Sequence, residues 1–264
     1  MPLIEIDDAG DPRLADFRDL ADADVRPDRR GVVIAEGANV VGRLLFSPYP
    51  MRAVLGVPSR VTPFADLPVP VFAVDKWLLS SIVGFRVTRG VLASADRPAA
   101  PSVPELLAGA RRLAIVESLN DFENLGALFR NAAAFGLDAV LLDPRCADPL
   151  YRRSVRVSMG HVLRMPFAAL PGAWPSSLDT VRNAGFTLLA MTPRPDASPL
   201  GQLPVPARWA VLLGAEGPGL TDSAMAAADR LVRIPMADGV DSLNVATAAA
   251  VAFAQLTAMT ASDE

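Results

Sequence analysis

The sequence predicts an α/β protein: a parallel sheet covered on both faces in the C-terminal part, preceded by a smaller α/β domain. Three observations lead there. Short apolar runs alternate with stretches of helical spacing along most of the chain, the pattern of repeated strand–helix units. A stretch rich in proline and alanine at 98–104 interrupts that pattern as a linker does. Hydrophobic residues make up 51% of the chain and charged ones 20%, which suits a packed core and excludes a disordered chain. The expected boundaries are therefore 1–97 for the first domain, 98–104 for the linker and 105–264 for the second.

Residues 1–30 are rich in Asp, Arg and Ala with weak periodicity, and read as a helix or two on a solvated face. Val32 to Ala35 reads as a short buried strand, turned by Glu36-Gly37, and Ala38 to Phe46 has helical spacing. Met51 to Val57 and Val69 to Val74 are further strand candidates. Lys76 to Val83 reads as a short helix, and Gly90 to Ser94 closes the first domain as a strand.

The pattern restarts with the strand Leu113 to Val116. A polar loop, Asn120 to Glu123, leads to a helix over Asn124 to Phe135, and Ala139 to Leu142 is the next strand. Leu150 to Val157 is a basic helix candidate and Leu163 to Phe167 a short strand. Then follow a helix at Ser176 to Asn183, strands at Phe186 to Met191 and Ala210 to Leu213, a helix at Leu220 to Ala228 and a strand at Leu231 to Ile234. From Ser242 to Ser262 the chain carries no charge, so a long helix is expected there with Ser242 as its N-cap. That stretch holds Asn244, Thr247, Gln255, Thr257 and Thr260 among small residues. It suits a core or dimer-interface helix better than one facing lipid, and no membrane partner is expected.

Net charge is −4, but affinity for a polyanion depends on local contacts rather than on the total. Apart from Lys76 the cations are arginines, and Arg152, Arg153 and Arg156 fall within a segment free of acids. Spacings of three and four place Arg156 on the helix face shared by Arg152 and Arg153. RNA contact and a solvated face both fit. The single Cys146 excludes an internal disulfide and favours a reducing, cytoplasmic setting. Met1 to Asp28 is acidic and polar, so no export signal is expected. With one Cys and one His, His161, a zinc site of those ligands is excluded, a histidine-based triad is disfavoured, and no metal is expected.

Two loops invite a chemical reading. Gly214-Ala-Glu-Gly-Pro-Gly219 follows a strand and opens a helix, the setting of a ligand loop, yet its spacing fits neither the dinucleotide fingerprint nor the P-loop. A tight turn explains Gly217 and Gly219; Glu216 is harder to explain by folding alone. The second loop leaves the strand ending at Ile234 and reaches Ser242 and Asn244, which either cap the terminal helix or line a site. Asn124 and Arg130, six residues apart, point to different faces of one helix unless Asn124 sits in the loop as an N-cap-like residue.

Three segments carry a resemblance: Asn124-Leu-Gly-Ala-Leu-Phe-Arg130-Asn-Ala132, Leu213-Gly-Ala-Glu216-Gly-Pro-Gly-Leu220, and Ile234-Pro-Met-Ala-Asp-Gly-Val-Asp-Ser-Leu-Asn-Val-Ala246. In this order they resemble the three signatures of the SpoU-like, or TrmH-type, RNA ribose 2′-O-methyltransferases of the SPOUT superfamily. Asp121-Phe122-Glu123 departs from the Asp-Pro pattern common before the first signature, which puts that loop's conformation in doubt. The first domain, with Ala35-Glu36-Gly37 and the turn from Gly84 to Gly90 before Val91-Leu92-Ala93, is similar to the RNA-binding module of L30e-like fold found ahead of such catalytic domains.

The resemblance implies a C-terminal trefoil knot, contrary to the usual unknotted topology. It also implies S-adenosylmethionine as methyl donor, a homodimer, and an RNA partner, rRNA before tRNA. By motif, Gly214, Ile234 and Leu243 line the adenosine site, Leu213 and Met236 pack around it, and Thr192 is a further candidate. Arg130 is expected beside that cleft. A guanidinium, with a pKa above about 12, is a poor general base; holding the target phosphate and stabilising the developing alkoxide suits it better. Asn124, Glu216, Ser242 and Asn244 then orient Arg130 and the ribose. A base-methylating enzyme of the same fold and a non-catalytic RNA-binding protein are the rival readings.

Overall fold

The apolar runs take up two sheets in the computed structural model, which describes residues 3–21 and 31–261. The chain divides into two units, 1–99 with 149–164 and 100–148 with 165–264. The first holds β1 (Ile4–Glu5), β2 (Val32–Glu36), α1 (Ala38–Leu44), β3 (Met51–Gly56), α2 (Pro58–Val61), β4 (Val71–Ala73), α3 (Lys76–Val83) and β5 (Val91–Asp96). Its sheet runs β1-β4-β3-β5-β2; β5 is antiparallel to both neighbours and the other pairs are parallel.

The solvated helix expected near the N-terminus is corrected for residues 3–21. Pro12–Phe17 form a 3₁₀ turn, with the Asp11 carboxylate accepting from the Arg13 N–H. Leu14, Phe17 and Leu20 are fully buried in the core of this unit. A spacing of three is the repeat of the 3₁₀ helix, so Leu14 and Phe17 line up on one edge, and Leu20 follows beyond the extended Arg18. Residues 22–30, part of the same expectation, lie outside the described residues.

The second unit opens with α4 (Val103–Gly109), which starts inside the expected linker. Ser102 and Glu105 cap it reciprocally: the Glu105 carboxylate accepts from the Ser102 N–H, and the Ser102 hydroxyl from the Glu105 N–H. β6 (Arg112–Val116), α5 (Phe122–Ala134) and β7 (Ala139–Leu142) follow. The chain then supplies α6 (Arg152–Val157) to the first unit. It returns with β8 (Phe167–Ala169), α7 (Leu178–Asn183), β9 (Thr187–Met191), β10 (Ser198–Pro199), β11 (Trp209–Leu213), α8 (Asp222–Ala226), β12 (Arg230–Arg233) and α9 (Val245–Ala261). The strand expected at Leu163 to Phe167 begins only at Phe167, because His161–Leu163 close a 3₁₀ turn after Gly160.

All seven strands of the second sheet are parallel, in the order β10-β12-β9-β11-β6-β7-β8. Its central strands are buried on both faces, so they read as continuous apolar runs. One face, including Leu113, Ile115, Leu141, Leu188 and Leu212, packs against α4, α7 and α8. On the alternate face α5 and α9 pack on each other and over β7 and β11. The order reverses between β6 and β11. At such a switch point the loops leaving the carboxyl ends of adjacent strands part and leave a crevice.

Candidate functional site

The crevice found lies to one side of that switch point, toward β9 and β12; no residue of β6 or of the loop after it lines it. A cleft of about 930 Å³ opens at the carboxyl ends of β9, β11 and β12. Thr192, Leu213, Gly214, Ile234, Met236 and Leu243 all line it, as do Glu216, Ser242 and Asn244. Gly214 is required there by crowding: a Cβ would lie 2.1 Å from the Gly219 carbonyl carbon and 2.2 Å from the Leu220 nitrogen. The loop folds back on itself, with the Gly219 N–H donating to the Ala215 carbonyl at 3.0 Å. Gly217 and Gly219 have φ of +83° and +69°, conformations natural to glycine.

Asn244 joins the three sequence segments. Its amide nitrogen donates to Asn124 Oδ1 at 2.8 Å and to Glu216 Oε1 at 2.6 Å. Its Oδ1 accepts from the Ala246 and Thr247 N–H groups, at 2.9 and 3.2 Å, and so caps α9. The Glu216 carboxylate can only accept, which fixes the amide orientation and uses both Asn244 N–H bonds. Capping and site building are thus one residue's work. This corrects the expectation for Ser242: it lines the cleft, but α9 starts three residues later, behind Asn244.

Asn124 is likewise not the cap of its helix. Asp121 is: its carboxylate accepts from the Glu123 and Asn124 N–H groups at 2.9 and 2.7 Å, so the expected polar loop 120–123 already holds the first turn. Asn124 then sits within the helix, and Arg130 projects elsewhere. Arg130 is exposed and is not among the residues lining the cleft. Seven residues, nearly two whole turns, place Asn131 rather than Arg130 above Asn124. The Asn131 amide accordingly donates to the Ala246 carbonyl at 2.8 Å, beside the cap of α9. That contact was open to the same spacing argument.

The family-model comparison matches residues 112–254 to the SpoU rRNA methylase family. This chain belongs to that family. An uncharacterized tRNA/rRNA methyltransferase of Mycobacterium tuberculosis is 48% identical over 263 residues, spanning 96% of this chain and 91% of the relative. The 23S rRNA (guanosine(2553)-2′-O)-methyltransferase RlmP of Bacillus subtilis is 25% identical, over 94% of this chain and 96% of its own. The crystal structure of an AdoMet-bound rRNA methyltransferase from Sinorhizobium meliloti superposes with a TM-score of 0.79 at 23% identity, covering 96% of this chain and 97% of that one. At that identity the likeness speaks for the fold.

In this SpoU-family chain the basic helix α6 behaves differently from the cleft. Arg152, expected to contact RNA, turns inward: its guanidinium lies 2.7 Å from the Glu36 carboxylate and 4.0 Å from the Phe85 ring centroid. Glu36 is 3% exposed, so the arginine neutralises a buried charge. Arg153 is exposed and Arg156 half-buried. Two groups near the cleft escaped the sequence reading. Arg194 lines it and grips Asp196 through two bonds of 3.1 and 3.2 Å, which hold the Asp196 pKa below the usual carboxylate value. Glu117, buried at the end of β6, carries no sequence signal beyond following an apolar strand. Among the described residues no cluster of His, Cys, Asp and Glu could hold a metal, and no helix is long and apolar enough to cross a membrane.

Proposed function

We propose that this protein methylates a ribose 2′-hydroxyl of structured RNA, rRNA before tRNA, with S-adenosylmethionine as donor. The cofactor supplies an activated methyl group on a sulfonium. The cleft suits such a molecule: its volume falls in the range of ligand pockets. Leu213, Ile234, Met236 and Leu243 offer apolar surface for the adenine, and backbone groups at Gly214 can meet polar edges. The Glu216 carboxylate favours a cation nearby, while Asp222 lies 3.9 Å from the Arg194 guanidinium.

The observation that carries the proposal is the Asn124–Asn244–Glu216 cluster at the cleft wall. Asn244 holds Glu216 through Oε1, and the carboxylate can accept the ribose hydroxyl proton as a hydrogen bond. Asn124, whose Oδ1 accepts from Asn244 at 2.8 Å, adds an amide that can orient the sugar. Holding the hydroxyl in line with the methyl group removes much of the barrier by positioning alone. Arg130, exposed outside the cleft, keeps its proposed role at the target phosphate, where charge develops near the reacting oxygen. The identity to RlmP along nearly the whole of both chains supports the ribose as acceptor. The reading also holds that the protein acts as a cytoplasmic homodimer, that its C-terminal chain forms a trefoil knot, and that the L30e-like first unit binds RNA.

Digestion of product RNA to nucleosides tests this. Transfer of labelled methyl to rRNA followed by complete digestion is expected to yield a 2′-O-methylnucleoside. A base-methylated nucleoside would overturn the ribose reading, and the absence of transfer with any cellular RNA would overturn the enzyme reading.

A further inference from the structure

We propose that Glu117 is a positioning residue: with Asp143 and Arg145 it fixes the two loops that bring Asn124 and Glu216 together. Glu117 follows β6 at the switch point, and its N–H donates to the Leu213 carbonyl at 2.9 Å. Its side chain is 1% exposed. Oε1 accepts from Trp174 Nε1 at 2.6 Å and from the Thr221 hydroxyl at 2.8 Å, and Oε2 accepts from the Thr221 N–H at 2.9 Å. Thr221 ends the glycine-rich loop and caps α8, its hydroxyl accepting from the Ala224 N–H at 3.2 Å. The loop is therefore pinned at Gly214 by backbone crowding and at Thr221 by Glu117, with Glu216 held between.

Asp143, equally buried after β7, does the same for the other loop. Its Oδ2 accepts from the Ser118 N–H at 3.2 Å and the Ser118 hydroxyl at 2.9 Å, where the chain departs toward Asn124. Arg145 spans both acids, 3.0 Å from Asp143 Oδ2 and 3.5 Å from Glu117 Oε1. Two buried carboxylates side by side are costly without such a cation. Glu117 does not line the cleft; Thr221, which it holds, does.

This inference rests on the cleft being the cofactor site, and the two are tested apart by calorimetry of the full chain with S-adenosylhomocysteine. Gly214→Ala drives a Cβ into the loop backbone; undiminished binding by that variant overturns the cleft reading itself. Asparagine and aspartate cap helices equally well and have the same shape. At position 221, asparagine can still donate to Glu117, whereas aspartate opposes it with a second carboxylate. Thr221→Asp is expected to bind about tenfold or more weakly than Thr221→Asn, the scale of coupling within a shared network. Equal affinities of the two variants overturn the role of Glu117. If circular dichroism shows Thr221→Asp unfolded, Arg145→Ala carries the test, since that side chain is 58% exposed. A loss of about tenfold is expected there for the same reason, and unchanged affinity overturns the proposal.

Discussion

The cleft wall and helix α6 both carry polar side chains at spacings that suggest ligand contact, and they use them in opposite ways. At the cleft, Asn124, Glu216 and Asn244 come from three distant segments and bond to one another while Glu216 and Asn244 face the opening. On α6, Arg152 leaves the basic face and meets Glu36 and Phe85. The difference lies in the partner. A buried carboxylate attracts a guanidinium that a sequence pattern assigns to the surface, because an unpaired buried charge costs several kcal/mol. Convergence of side chains from separate segments beside an open cleft answers a structural demand only where Asn244 caps α9, and so speaks more strongly for function.

The largest effect that can break this contrast is at Arg130. Arg130→Ala is expected to lower methyl transfer by about a hundredfold or more, while S-adenosylhomocysteine binding by calorimetry stays unchanged because the residue lies outside the cleft. Normal turnover would remove the arginine from the mechanism. Next comes a pair on α6. Arg152→Ala strands Glu36 and should cost about 3–5 kcal/mol in urea unfolding. Arg153→Ala, fully at the surface, should leave stability within about 0.5 kcal/mol yet weaken RNA binding. If both variants lose only RNA affinity, the inward role of Arg152 is wrong.

The smallest effect concerns Cys146. Burial, aided by the nearby Asp143 charge, pushes its thiol from 9.0 to about 11. The folded state therefore holds this proton more tightly than the unfolded one. Its contribution is complete below pH 9 and declines as pH rises toward about 11. Unfolding midpoints across that window should fall more steeply for the parent than for Cys146→Ala, and parallel slopes would contradict the shift.

Where apolar periodicity was strong, the sequence reading and the structure share boundaries: Lys76–Val83 and Ala139–Leu142 coincide to the residue. The parallel sheet of the second unit follows from the same alternation. Two-residue strands such as Ile4–Glu5 and Ser198–Pro199 are too short to carry a period, and they were missed. Caps were misassigned where several polar residues compete. Ser242 and Asn244 could each begin α9, and only the hydrogen bonds at Ala246 and Thr247 choose between them. The grouping of Gly214, Ile234 and Leu243 around one cleft was legible through motif order. Glu117 was not, because a buried carboxylate serving backbone and indole donors leaves no pattern in its neighbours.

Asn244 closes the first turn of α9 with one end of its amide and clasps Glu216 and Asn124 with the other. Fraying of that turn and dissolution of this part of the cleft wall are then a single event. Hydrogen exchange at the Ala246 and Thr247 amides would report, in one measurement, how much of the time that side of the cleft is assembled.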